Sequence, residues 1–251
     1  MDISTITTTQ MMIENNFYDI HSHIIFDVDD GASCLSDSIK YLIEASNIGI
    51  KTIVATPHMK HLNIDKKKKI EANFNVLNKY ANKLNINLIL ASEIMLSSDT
   101  LTLIEEKNLF TINNSKYILV EVKRNEKMNT GMLILKLEEL LDRGYKVILA
   151  HPELYINYRN INKIKKIKES GVLLQMDATS IIFGYSNRKV RKFSKQLLKN
   201  GLIDFVASDT HCTKKRNYKV YMKAYNYIKR KYGVNYANIL FNLNAKYMLN
   251  D

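Results

Sequence analysis

Short apolar runs alternate with longer amphipathic stretches along almost the whole chain. Residues 17–20, 52–55, 87–91, 116–122, 146–150, 172–176 and 204–207 are compact apolar runs that suit buried strands. Between them, apolar positions recur with helical spacing over 35–47, 66–84, 132–142, 161–170, 188–200 and 214–232, with a last helical pattern at 235–242. Gly49, Gly144, Gly171 and Gly201 each stand shortly before the next strand, where a left-handed helix end favours glycine. Seven βα units in a row predict an α/β protein with a parallel sheet and helices outside, most economically a closed barrel. An open doubly wound sheet is the alternative, but its glycine-rich first turn is missing.

Composition narrows the setting. The 251 residues include only 8 Gly and 2 Pro, which argues against long linkers. We expect a polar extension over residues 1–16 and a single domain over 17–251. No apolar run approaches the roughly 20 residues needed to span a bilayer. The opening "MDISTITTTQMMIENN" has neither the basic start nor the apolar core of a signal peptide. Two cysteines make no disulfide framework, so a cytoplasmic location is expected. The net charge of +12 favours anionic partners, although lysine runs such as "DKKKKI" and "NKIKKIKES" have the spacing of solvated helix faces. No nucleic-acid motif with interleaved aromatics is present.

The chemistry concentrates where the predicted strands end. The first runs into "DIHSHIIFDVDDGA", whose His21 and His23 share one face of a strand. The next ends carry His58 in "ATPH", Glu93 in "SEI", Glu121 in "LVEV", His151 and Glu153 in "AHPE", Gln175 and Asp177 in "LQMDATS", and Asp209 and His211 in "ASDTH". In a parallel barrel these ends converge on one face, and five of the six histidines lie there. Packing alone gives no reason for such a set, because buried unpaired polar groups are costly. Imidazoles and carboxylates without thiolate suit Mn, Fe or Zn, and so many donors imply two or three ions. Ions so grouped suit hydrolysis of phosphate esters.

These motifs, in order from Tyr18 onward, resemble the PHP (polymerase and histidinol phosphatase) superfamily, and within it the CpsB/CapC-like bacterial tyrosine-protein phosphatases of capsule and exopolysaccharide synthesis. The resemblance implies a distorted (β/α)7 TIM-like barrel and a manganese-dependent trinuclear site. It implies as substrate the phosphorylated tyrosine-rich tail of a partner kinase. It further implies His21, His23, Asp30, His58, Glu93, Glu121, His151, Asp209 and His211 as metal ligands, with Arg216, Asp209 and His211 as catalytic residues. Of the two arginines that would hold the phosphate, Arg216 is present, but the one expected after "AHPE" is replaced by Leu154. Arg159, further along the loop, is the candidate substitute. A small-molecule phosphatase of the histidinol-phosphate type, or a PHP-type nuclease, remains open at this point. Two residues are set aside as bystanders: His61, beyond the strand end, and Cys212, whose "HCTKKR" is too short for the loop of a cysteine-dependent phosphatase.

Overall fold

The computed structural model describes residues 16–59, 63–123, 129–155, 159–211 and 216–250. Its strands, all paired in parallel, are β1 (Phe17–Ser22), β2 (Ile50–Ala55), β3 (His58–Met59), β4 (Asn87–Leu90), β5 (Glu93–Met95), β6 (Tyr117–Glu121), β7 (Lys146–Ala150), β8 (Leu173–Asp177) and β9 (Phe205–Ala207). The bonded order is β1-β2-β4 in one sheet and β3-β5-β6-β7-β8-β9 in the other. Pro57, which has no N–H to give the ladder, separates β2 from β3. Pairing nevertheless carries across the break: Ala91 N–H donates to the Ala55 carbonyl (2.9 Å) and Glu93 N–H to that of Pro57 (3.2 Å). Counting β2–β3 and β4–β5 as single passages, seven passages form the wall, one for each apolar run in the sequence.

The wall closes between its first and last strands. Asp209 N–H donates to the His21 carbonyl (2.9 Å) and His23 N–H to that of Thr210 (3.0 Å). Asp19 accepts from the Ser208 N–H (2.8 Å) and hydroxyl (2.5 Å). The result is a distorted (β/α)7 barrel.

Helices α1 (Leu35–Asn47), α2 (Ile64–Lys83), α3 (Thr100–Glu105), α4 (Thr130–Asp142), α5 (Ile161–Glu169) and α6 (Arg188–Lys199) connect the passages, and α7 (Tyr218–Tyr232) follows the last. Asparagine starts five of them. The side chains of Asn63, Asn129, Asn160, Asn187 and Asn217 each accept from a first-turn N–H, a cap worth about 1 kcal/mol. Helix α3 was not expected from the sequence. The final pattern is longer than expected, running through α8 (Val234–Asn238), a wider π-type turn at Ile239–Leu243 and α9 (Asn244–Asn250). No helix among the described residues is long and apolar enough to cross a membrane.

Two apolar clusters divide the interior. The larger lies between wall and helices and includes Ile53, Val120, Leu149 and Leu174 with Leu42, Leu77, Leu137 and Leu197. The smaller fills the barrel with alternate strand residues, among them Ile20, Val54, Ile89, Leu119, Ile148 and Phe205. Ala245 and Met248 of α9 join that inner cluster.

Candidate metal centre

The inward-facing positions change character toward the C-terminal ends of the strands. Leu119 is followed two residues on by Glu121, Ala91 by Glu93, and Ala207 by Asp209. On β1 the register with β2 slips between Asp19, opposite Ile53, and Ser22, opposite Ala55. This bulge lets Ile20 pack in the inner cluster while its neighbour His21 also turns inward. His151 and Asp209 have left-handed backbones (φ 35° and 48°), uncommon for such residues and typical of side chains aimed by a site. Gly31 is required by contact rather than by its own torsion. A Cβ there would lie 2.1 Å from the His23 carbonyl oxygen and 2.4 Å from His23 Cβ.

All nine residues expected as ligands come together. Their donor atoms fall into four overlapping groups, each able to hold a metal ion. These are His23, Asp30, His58 and His211; His21, Glu93 and His151; His21, His23 and Asp209; and His58, Glu93 and Glu121. Within a group the donor atoms lie within 4.8 Å of one another. Most are buried, whereas the Asp30 side chain is 71 % exposed at the mouth.

The donors fit cations. His21 Nδ1 faces the Gln175 amide oxygen at 3.0 Å, and His23 Nδ1 faces Asp29 Oδ2 at 2.7 Å. Each ring then carries its proton on Nδ1, so two Nε2 lone pairs face each other at 3.2 Å. That arrangement is repulsive unless a cation or an extra proton lies with them. His58 Nδ1 is 2.9 Å from both Glu93 Oε2 and Glu121 Oε1, yet none of these three buried atoms has an aligned hydrogen bond. Orphaned buried groups of this kind are rare in native proteins, and an ion at their shared focus satisfies them together.

Without ions, protons take that place. Burial pushes the His23 pKa down, but Asp29 and Glu93 outweigh it and raise it to about 9. Burial likewise pushes the His58 pKa down, but Glu121 and Glu93 outweigh it and raise it to about 10. His21 is also held well above its ordinary value, burial being outweighed by Glu93 and Asp209. Burial works against the charge on Glu93, but His21 and His151 hold its pKa well below the ordinary carboxylate range.

A second layer orients these donors. Asp29, with a side chain only 3 % exposed, accepts from His23 Nδ1, from the Gly31 N–H (2.9 Å) and from the His58 N–H (3.1 Å). Gln175 holds His21 and accepts from the His151 N–H (3.3 Å). Glu153 is fully buried and accepts from the Asp177 N–H (3.0 Å) and the Ser180 hydroxyl (2.7 Å). Burial and the neighbouring Asp177 push its pKa up to about 8.

Beside the cluster lies a pocket of about 330 Å³ whose walls include Leu154, Asp177, Ser180, Val190 and Arg216. Arg216 Nη1 is 2.7 Å from Asp209 Oδ2 and 3.0 Å from His211 Nδ1, so the guanidinium is fixed between the donors and the pocket.

The sequence profile described as "Capsular polysaccharide synthesis, CpsB/CapC" matches residues 17–250. The chain belongs to the CpsB/CapC family. It is 32 % identical over 245 residues to the tyrosine-protein phosphatase CpsB of Streptococcus pneumoniae, covering 93 % of this chain and 98 % of that one. It is also 32 % identical over 206 residues to the tyrosine-protein phosphatase YwqE of Bacillus subtilis, covering 80 % and 79 %. A crystal structure from work on YwqE of Bacillus subtilis and CpsB of Streptococcus pneumoniae, described as unique metal-dependent tyrosine phosphatases, superposes with a TM-score of 0.83 at 29 % identity. That match covers 93 % of this chain and 94 % of the other.

Two residues of this CpsB/CapC member bear on how it would hold phosphate. Leu154 lines the same pocket as Arg216 and presents an apolar wall where the family resemblance implies a guanidinium. Arg159 Nε donates to the Glu153 carbonyl (3.1 Å) and Nη2 to that of Leu154 (3.3 Å). Two of its donors thus brace the loop, and Arg159 is not among the described residues lining the pocket. His61 and Cys212 lie outside the described residues. Sequence reasoning missed Asp29 and Gln175 as orienting groups. For Gln175 the only signal was a polar side chain near a strand end, and for Asp29 a place in the loop that follows one.

Proposed function

We propose that this protein is a metal-dependent protein-tyrosine phosphatase of capsular or exopolysaccharide synthesis. In this reading it is cytoplasmic and acts on the phosphorylated tyrosine-rich tail of a partner kinase. The observation that carries the reading is the convergence of nine imidazole and carboxylate donors beside a fixed arginine and a pocket. In this reading His21, His23, Asp30, His58, Glu93, Glu121, His151, Asp209 and His211 hold two or three divalent ions, with Mn²⁺ favoured over Fe or Zn. When bound, such ions polarise phosphoryl oxygens and ionise water near neutral pH.

The rest falls to the chain's own groups. Arg216 binds a phosphoryl oxygen, and its charge gains strength from the partly buried setting. Asp209 and His211 keep that guanidinium aimed into the pocket. Leu154 and Val190 offer apolar surface to the aryl ring of the substrate. Asp29 and Gln175 keep the His23 and His21 rings in the tautomer that turns Nε2 inward. Arg159 stiffens the loop that carries Leu154.

The test uses purified protein stripped with a chelator and resupplied with Mn²⁺ or Mg²⁺. Substrates are a phosphotyrosine peptide, histidinol phosphate and single-stranded DNA. The expected outcome is peptide dephosphorylation that chelation abolishes and Mn²⁺ restores better than Mg²⁺, which binds imidazole poorly. Turnover indifferent to chelation, or confined to histidinol phosphate or DNA, would refute the reading.

A further inference from the structure

The outer rim of the pocket carries features that hydrolysis of a single phosphotyrosine does not require. Tyr185, Ser186 and Asn187 line the pocket on the side of the segment leading from β8 into α6. Phe183 and Ser186 pair through an isolated backbone bridge, and Gly184 makes the turn between them at φ 86°, a conformation that disfavours a side chain. The turn holds Phe183 out at 85 % exposure, the highest of the large apolar side chains among the described residues.

Cations stand over both aromatic rings of this segment. The Arg191 guanidinium lies 5.1 Å from the Phe183 centroid, and Arg191 also donates to the Ser186 carbonyl. The Lys223 ammonium lies 5.4 Å from the Tyr185 centroid. Helix α6 opens on Arg188 and Lys189, both exposed, with no acidic residue in its first turn. Asn187 caps the Val190 N–H, but Arg188 and Lys189 still place positive charge at a helix end whose dipole favours an anion. An exposed ring in water and misplaced cations are both unfavourable in the free protein. A ligand that is aromatic and anionic at once relieves both.

A phosphorylated tyrosine has that chemistry. On the basis of the phosphatase reading above, we infer that Phe183, Arg191 and the first turn of α6 dock a second phosphotyrosine of the same substrate chain. The first phosphotyrosine meanwhile occupies the pocket beside Arg216. The protein then favours multiply phosphorylated tails over singly phosphorylated ones.

Three substrates test this in the Mn²⁺-loaded protein: a small aryl phosphate, a singly phosphorylated peptide, and its doubly phosphorylated counterpart. The two phosphotyrosines are set roughly two to four residues apart, at about 3.3 Å per extended residue. For the doubly phosphorylated peptide we expect kcat/KM about tenfold higher, in line with one added charge-assisted contact, and the gain should appear in KM. In Phe183→Ala/Arg188→Gln the ratio between the two peptides should fall to about one. Equal kcat/KM for both peptides in the unmodified protein, or an advantage that survives the double variant, overturns the docking site. Failure to hydrolyse even the small aryl phosphate would instead overturn the phosphatase reading itself, so the two failures are distinguishable.

Discussion

Replacing Asp29 by asparagine isolates the role of the layer behind the donors. The substitution keeps size and one acceptor but removes the charge that His23 Nδ1 meets at 2.7 Å. It also turns one carboxylate oxygen into a donor, and either the Gly31 N–H or the His58 N–H loses its acceptor. The side chain is 3 % exposed, so water cannot replace the lost partner. Outer-layer partners of metal-bound histidine are worth roughly 10- to 100-fold in metal affinity, or about 1.4–2.7 kcal/mol. The unpaired N–H costs about 1–3 kcal/mol of fold stability on its own account. Calorimetric titration with Mn²⁺ should therefore show a dissociation constant weaker by at least about tenfold in Asp29→Asn. Thermal unfolding of the metal-free forms measures the structural part separately. A metal affinity within about twofold of the unmodified protein would show that Asp29 does not tune His23 as a ligand, and the argument from facing lone pairs would fail with it.

Leu154→Arg should lower KM for a small aryl phosphate with kcat changed less, by roughly 10- to 150-fold for a contact worth about 1.5–3 kcal/mol; an unchanged KM in steady-state kinetics would show that the pocket wall does not face phosphate. Gly31→Ala should reduce bound metal, read by elemental analysis, because its Cβ cannot coexist with His23 where the ring now stands. Metal uptake at pH 7 should release protons, seen as a buffer-dependent binding enthalpy, and affinity should rise with pH until about 10, since His23 and His58 in the metal-free protein hold protons up to about 9 and about 10. By the same sign, these two rings stabilise the metal-free fold fully below about pH 6.5, and that contribution is lost as pH rises through 9 to 10. Cys212→Ser should remain active in the chelation assay; loss of turnover with metal still bound would reinstate a thiol mechanism.

Eight of the nine donors were legible as His, Glu or Asp gathered where the apolar runs end, whereas Asp30, in a loop, rested on the family resemblance. A parallel strand alternates faces, so an apolar inward position followed two residues later by Glu or Asp marks the strand end, as Leu119–Glu121 and Ala207–Asp209 illustrate. Asp29 was not legible. It sits in a loop and reaches back six residues to His23, a contact set by the close approach of Gly31 and by no period. Arg159 is a related case. Its charge and nearness suggest a phosphate contact, and folding adds a bracing role that no period announces, two of its donors meeting the carbonyls of residues 153 and 154. Helix α3, only six residues long, was too short to show a period.

The seam between β1 and β9 also sets the order in which the protein can become functional. Asp19 meets Ser208 across 189 positions of sequence, and His21 meets Asp209 across a similar distance. A chain emerging from the ribosome therefore carries seven of the nine donors long before it carries Asp209, His211 and the strand that seals the wall. Until then the outer edge of β1 stands open, His21 and His23 lack the charge of Asp209 beside those of Asp29 and Glu93, and Arg216 has not been made. Completion of the donor set is thus a late event in the life of the nascent chain. Any product that terminates before residue 209 is released without a finished site rather than with a weakened one.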